Sequence, residues 1–185
     1  VEDIRVSNIV MNNIKDIAFV MDMQYSKTKE EPLSERTPRF RNIHISNVTG
    51  NAKQAAYING LEEMPVSQIS FHDINLVTEE GFLLKNAKDI SFHQVEVVAK
   101  NSPAISAFAV TNLELDGVKA NISNQNLPVL RLEKTTDVFI HGSNIRGTGN
   151  FLYLKGADNK DILIKGNYLS KTVTAIKKDT ETLNN

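Results

Sequence analysis

Three of the four histidines, His72, His93 and His141, stand at one offset of a repeated six-residue line, each just after an apolar residue (Phe71, Phe92, Ile140) whose side chain alternation turns inward. Imidazoles one repeat apart can stack or share a metal ion. Asp116 is the one carboxylate in their column, one repeat away, so the set reads as a stacked surface ladder and no metal ligands are nominated. A second series, Tyr57, Lys85, Arg131 and Tyr153, is placed by alternation on one outward face and combines flat rings with cations. Gly147-Thr148-Gly149-Asn150 has the glycines of a phosphate loop but neither the lysine nor a following helix, and reads as a turn between repeats. With no cysteine, thiolate nucleophiles, disulfides and thiolate metal sites are all excluded. No cofactor is implied.

The remaining composition narrows the classes further. A chain of 185 residues is long enough for one domain with a real core. Its 21 basic and 22 acidic residues generate no global field that would recruit nucleic acid or an anionic membrane. No apolar run approaches the roughly 20 residues of a membrane span, and Val1 to Val10 lacks the basic-then-apolar layout of an export signal.

The elements that must position these residues emerge from self-similarity. A line of the form Asx or Gln, Ile, any, apolar, any, small or polar occurs seven times, led by the apolar residues Ile4, Ile43, Ile69, Ile90, Leu113, Val138 and Ile162. The steps between them are 39, 26, 21, 23, 25 and 24 residues, the first being lengthened by a charged, twice proline-broken stretch at 26–39 that reads as an inserted loop. Alternation inside each line is the strand period, and a second apolar run follows each of the first six lines, as in Phe19-Val20-Met21 or Leu152-Tyr153-Leu154. The pattern predicts an all-β, single-stranded, right-handed parallel β-helix of about seven coils over residues 1–185, with the lead residues stacked inside, the leading Asx or Gln residues forming a seven-membered polar ladder, and 171–185 as a polar terminating segment.

Two segments carry a family resemblance: Phe40-Arg41-Asn42-Ile43-His44-Ile45-Ser46-Asn47-Val48-Thr49-Gly50, and Gly60-Leu61-Glu62-Glu63-Met64-Pro65-Val66 followed by Ile69-Ser70-Phe71. Together with Val1 to Tyr25 they resemble the polygalacturonase-type pectinases of glycoside hydrolase family 28, closely as far as about Val118. The resemblance implies inverting hydrolysis of galacturonan in a cleft on one parallel sheet, and export to the periplasm or outside the cell. The family's asparagine-threonine-aspartate, paired-aspartate, glycine-histidine-glycine and arginine-isoleucine-lysine motifs do not occur here. The expectation is therefore the C-terminal portion of such an enzyme, with no catalytic residue to nominate.

By order and spacing Tyr25 matches a tyrosine that lines the family's cleft, where a ring can pack on a sugar and its hydroxyl can hydrogen-bond. Asp22 and Gln24 share its outward side if Met21 and Met23 point inward; the competing reading is a solvated polar edge. Lys27, Lys29, Arg36 and Arg39 of the loop could meet an anionic uronate chain, although Glu30, Glu31 and Glu35 offset their charge. Tyr57, Lys85, Arg131 and Tyr153 could extend the same track. The rival class is a non-catalytic β-solenoid that binds carbohydrate or serves assembly. The first coil, with unpaired backbone and apolar side chains, is expected to associate with another molecule or with upstream coils.

Overall fold

The computed structural model describes residues 1–24, 32–122, 124, 126–145, 149–169 and 174–179. Among them there is no helix, and eleven strands pair in parallel as one continuous stack. The longest are β1 (Glu2–Asp22), β2 (Arg41–Asn59), β3 (Val66–Ala99) and β4 (Ile105–Asp116), which run through corners from one face of the solenoid to the next. Shorter pieces complete the later coils: β5 (Lys119–Ile122), β6 (Leu130–Glu133), β7 (Thr136–His141), β8 (Asn144–Ile145), β9 (Asn150–Lys155), β10 (Lys160–Lys165) and β11 (Thr174–Lys178).

The corners explain the repeated line. Its first residue is left-handed in every copy, with φ between 52° and 59° at Asp3, Asn42, Gln68, Asp89, Asn112, Asp137 and Asp161. Its sixth is left-handed too, at Asn8, Asn47, Asp73, Gln94, Gly117, Gly142 and Gly166. An L residue with a Cβ avoids this region, and Asn, Asp and Gly enter it most readily. Each line is thus a four-residue strand held between two left-handed bends, and residue choice at its ends follows from backbone sterics. The expected seven-membered ladder of side-chain hydrogen bonds is only partly formed. Asn42 donates to Asp3, Asn112 to Asp89 at 2.7 Å, and at the second corner Asn47 to Asn8 at 2.6 Å. What the seven positions share is the bend.

Between the bends the register is strict. Ile4 pairs with Ile43 and Ile43 with Ile69; further on, Ile90, Leu113, Val138 and Ile162 pair in turn. The two series join inside β3, where Phe71 stacks on Phe92 at 5.0 Å. Phe19 and Phe82 close around this pair at 5.1–5.7 Å, so four aromatic rings from two faces fill the middle of the coil section. Edge-to-face and offset contacts at these separations add to area burial.

Burial of the lead column shows what the ends do. Ile43, Ile69, Ile90, Leu113 and Val138 are 1–4% exposed, but Ile4 is 38% exposed and Ile162 only half-buried. A coil residue is covered by the coils on either side, and the outermost described rungs have a described neighbour on one side alone. The coil count is corrected for a related reason. Seven rungs enclose six intervals and the ends are partial, so the stack amounts to about five full turns and not about seven.

Ile90 lies between Ile69 and Leu113 at 1% exposure, in a column with no polar partner. Ile90→Asp would bury an unpaired carboxylate there and is expected to cost on the order of 4 kcal/mol, against about 1 kcal/mol for Ile90→Val. Urea unfolding monitored by circular dichroism checks this, and equal midpoints for the two variants would remove Ile90 from the core.

Candidate functional site

With the repeated line taken as the first face of the solenoid and the segment after it, with β5 and β8, as the second, the third is built by the later part of β1 and β2, the middle of β3, the start of β4, and β6, β9 and β11, and it carries the chemistry. Its inward columns are apolar: Phe19, Ala56, Phe82, Ile105, Leu130 and Leu152 in one, Met21, Ile58, Leu84, Ala107 and Leu132 in the next. Alternation then turns two columns outward. One reads Val20, Tyr57, Leu83, Ser106, Arg131, Tyr153; the other Asp22, Asn59, Lys85, Phe108, Glu133, Lys155. The expected series Tyr57, Lys85, Arg131 and Tyr153 lies outward on this face, divided between the two columns. Lys85 belongs to the neighbouring column, because coil lengths shift the residue that falls opposite Tyr57 to Leu83.

In the first three rungs these side chains form a connected cluster. Met21 and Met23 are buried, which turns Asp22 and Gln24 outward. One carboxylate oxygen of Asp22, Oδ1, accepts from Asn59 Nδ2 at 2.9 Å and from the Gln24 backbone N–H at 2.9 Å. Its other oxygen has no protein partner among the described residues. Asn59 is 5% exposed, and its carbonyl accepts the Met23 N–H at 2.9 Å, so backbone and side chain together fix the carboxylate. Lys85 Nζ lies 5.7 Å from the Tyr57 ring centroid, a cation over an aromatic face. Burial, and then the negative charge of Asp22, raise the Tyr57 phenol above its usual range.

The later rungs are more self-contained. Glu133 is shared by Arg131 at 3.3 Å and Lys155 at 3.1 Å. The Tyr153 phenol is raised by desolvation and then by its hydrogen bond to Asp179 and that group's charge, against the opposing pull of Arg131 and Lys155. Beside this half, at the corner into the first face, opens a groove of about 530 Å³ edged by Asn86, Lys88, Phe108, Thr111 and Lys134. Lys134 Nζ sits 5.6 Å over the Phe108 ring. Asn86, Ala109 and Lys134 are left-handed here, and neither alanine nor lysine favours that conformation.

Of the residues expected at the site, Asp22 and Gln24 fall together on this face. Arg36 is exposed in the 32–40 connection, where Ser34 and Thr37 close a turn at 3.0 Å. Tyr25 and Lys27 lie outside the described residues, as do Lys29, Glu30, Glu31, Gly147 and Thr148, while Asn150 opens β9. Asn59 was missed. Its signal was its place after Ala56-Tyr57-Ile58, outward in alternation and one rung from Asp22.

The histidines form the expected ladder on the first face. His72 and His93 stack at 4.8 Å and 18°. Asp116 continues the column, taking His93 Nδ1 on one oxygen at 2.5 Å and His141 Nδ1 on the other at 3.2 Å, while His141 Nε2 meets Glu114 at 3.1 Å. Among the described residues no group of three or more His, Asp or Glu side chains is placed to hold a metal ion. His44, in the adjacent column, contacts the Asn42 side-chain oxygen through Nε2 and the Ser70 hydroxyl through Nδ1. Burial, and then the Arg5 charge, lower its pKa and favour the neutral ring. Its Nε2–H then donates to Asn42, and Nδ1 accepts from Ser70.

A family model, that of the glycosyl hydrolases family 28, matches residues 1–99, more than half of the chain. The chain belongs to glycosyl hydrolases family 28. No curated protein and no solved structure gave a significant match. The family 28 match takes in the cluster of Asp22, Tyr57, Asn59 and Lys85, whereas Arg131, Glu133, Tyr153 and Lys155 lie beyond it. Glycoside inversion needs two carboxyl groups roughly 6.5–9.5 Å apart, one to protonate the leaving oxygen and one to activate water. Asp22 and Glu133 are four rungs apart in their column, about 19 Å at the usual strand spacing. Glu133 is shared between two cations and Asp179 is bonded by Tyr153, so neither of these is free for such work.

The coupling of Asp22 to Tyr57 has a measurable sign. With a folded pKa above the unfolded value of about 10, Tyr57 contributes stability that is intact below that value and is lost as pH rises through the folded one. Asp22→Asn removes the charge and leaves the burial, so the Tyr57 phenol should titrate lower than in wild type yet still above an exposed tyrosine. Ultraviolet phenolate titration, with Tyr57→Phe subtracted, reads the shift, and an unchanged curve would uncouple the pair.

Proposed function

We propose that this chain supplies cleft wall and supporting coils to a pectin-degrading hydrolase that inverts galacturonan linkages, and that the catalytic carboxylates lie outside these residues. The observation that carries the reading is the cluster on the family-matched part of the third face. It offers an open carboxylate oxygen on Asp22, a half-buried ring at Tyr57 and a cation at Lys85. Such a set can accept a sugar hydroxyl, cover a ring face and meet a uronate carboxylate. Tyr25, Gln24, Lys27 and Arg36 would join it from the adjoining edge and loop. A substrate of this kind also places the parent protein in the periplasm or outside the cell.

The purified chain should release no reducing ends from polygalacturonate, because the family's catalytic motifs do not occur in it and, on the third face, Glu133 and Asp179 are already engaged. Hydrolysis that copurifies with the chain and disappears in Asp22→Asn would transfer the chemistry to this face and overturn the proposal.

A second reading, as an assembly module, is favoured by the apolar side chains left open on β1: Ile4 at 38%, Val10 at 72% and Val20 at 57% exposure. Parallel strand edges recruit further strands. If β1 docks on a second copy, light scattering at tens of micromolar, on the order of common assay concentrations, should show a dimer or larger species that Val6→Lys reduces to monomer. A monomer in both proteins removes the assembly reading.

A further inference from the structure

Asp22 and Glu133 stand in one outward column of the third face, yet of the two only Asp22 keeps an oxygen without a protein partner among the described residues. The neighbour makes the difference. Glu133 gives one oxygen to Arg131 and the other to Lys155, whereas the residue one rung from Asp22 is the neutral Asn59. A lysine or arginine at that rung would close Asp22 as an ion pair. An amide occupies one oxygen and leaves both the charge and the second oxygen.

The fold commits Asn59 to this contact. Its side chain is on a residue only 5% exposed, and because a carboxylate oxygen only accepts, it is Nδ2 that faces Asp22 Oδ1 at 2.9 Å. The backbone that carries the amide is pinned to both adjacent rungs. On one side the Asn59 carbonyl accepts the Met23 N–H at 2.9 Å; on the other the Gly60 N–H donates to the Lys85 carbonyl at 2.9 Å, and Asn86 Nδ2 donates to the Gly60 carbonyl at 3.2 Å. Packing at Gly60 is so close that a Cβ there would lie 2.2 Å from the Asn86 carbonyl oxygen. With the Gln24 N–H also on Oδ1 at 2.9 Å, two fixed donors hold one oxygen and define the other as the open one.

We propose that Asn59 is a positioning residue of the carbohydrate site, a neutral donor that orients the Asp22 carboxylate so that its open oxygen accepts a sugar hydroxyl. The inference rests on the cleft-wall function and adds to it the group that sets the acceptor.

Asn59→Asp separates this role from support of the fold. A protonated Asp at that position can donate to Asp22 as the amide does, and an ionised one cannot. Two carboxylates at hydrogen-bond distance share a proton at low pH and repel once it leaves. The outward columns also place Tyr57 and Lys85 at these rungs, so wild type, which keeps both, supplies the baseline at each pH.

Calorimetric titration of the full chain with tetragalacturonate, at about pH 5 and about pH 8.5, reads the effect, with circular dichroism confirming the fold. Against wild type, Asn59→Asp should bind within about twofold at the lower pH and at least about tenfold more weakly at the higher. Asn59→Leu, of similar size but without a donor, should bind about tenfold more weakly at both. Should either variant lose its fold, the other decides. Wild-type affinity in the folded variants, or a loss in Asn59→Asp that is equal at the two pH values, overturns this inference alone. No saturable binding by wild type at about 10 mM ligand removes the cleft-wall function, and the inference with it.

Discussion

A chain that stacks on itself in register must turn the same corner at the same place in every coil, because one misplaced bend would throw every later side chain onto the wrong face. Here the constraint is met by pairs of left-handed residues five positions apart, from Asp3 and Asn8 through Asp161 and Gly166. The bends are stereochemically unfavourable for most side chains, so their cost is limited by drawing on Asn, Asp and Gly. The parallel backbone pairing that the bends permit then satisfies donors and acceptors from coil to coil. The aliphatic columns and the central phenylalanines fill a cross-section that this geometry has already defined.

The same regularity shapes the outer surface. Side chains one rung apart are held near strand spacing, so chemistry on a solenoid comes in columns, and neighbouring coils supply each group with its partner. Asp22 with Asn59, His72 with His93, and Glu133 between Arg131 and Lys155 are cases of one principle. Its limit is equally plain. Two groups needed at a spacing other than a multiple of the rung must come from different columns or from loops, and among the described residues the third face does not bring Asp22 together with a second free carboxylate in its own column.

The three faces consequently differ in what remains available. On the first, the imidazoles and carboxylates from His93 to His141 satisfy each other. On the third, the later coils are likewise closed by ion pairs, while the early coils keep an unshared carboxylate oxygen, a ring and a cation inside the family-matched segment. On the second, Glu96 and Lys119 stand one rung apart beside a recess, neither with an ion-pair partner among the described residues. Unsatisfied groups on a fold otherwise so thoroughly paired are what direct attention to binding.

The sequence by itself determined the strand period, the inward columns and the corners, since all three depend on neighbours along the chain, and alternation and bend preference are written residue by residue. It also placed Asp22 and Gln24 on the outward side and His72 beside His93, because equal offsets in adjacent repeats must meet. Tertiary structure alone decided which residues oppose one another across coils of unequal length. That set Lys85 in the column beside Tyr57, brought the buried amide of Asn59 onto Asp22, and gave Glu133 to two cations. It also left Ile4 exposed while Ile43, in the same repeated pattern, is buried. The physical reason is that covering a side chain from above and below depends on coils some two dozen residues away, and a local pattern carries no information about whether such a neighbour is present or how far its register has slipped.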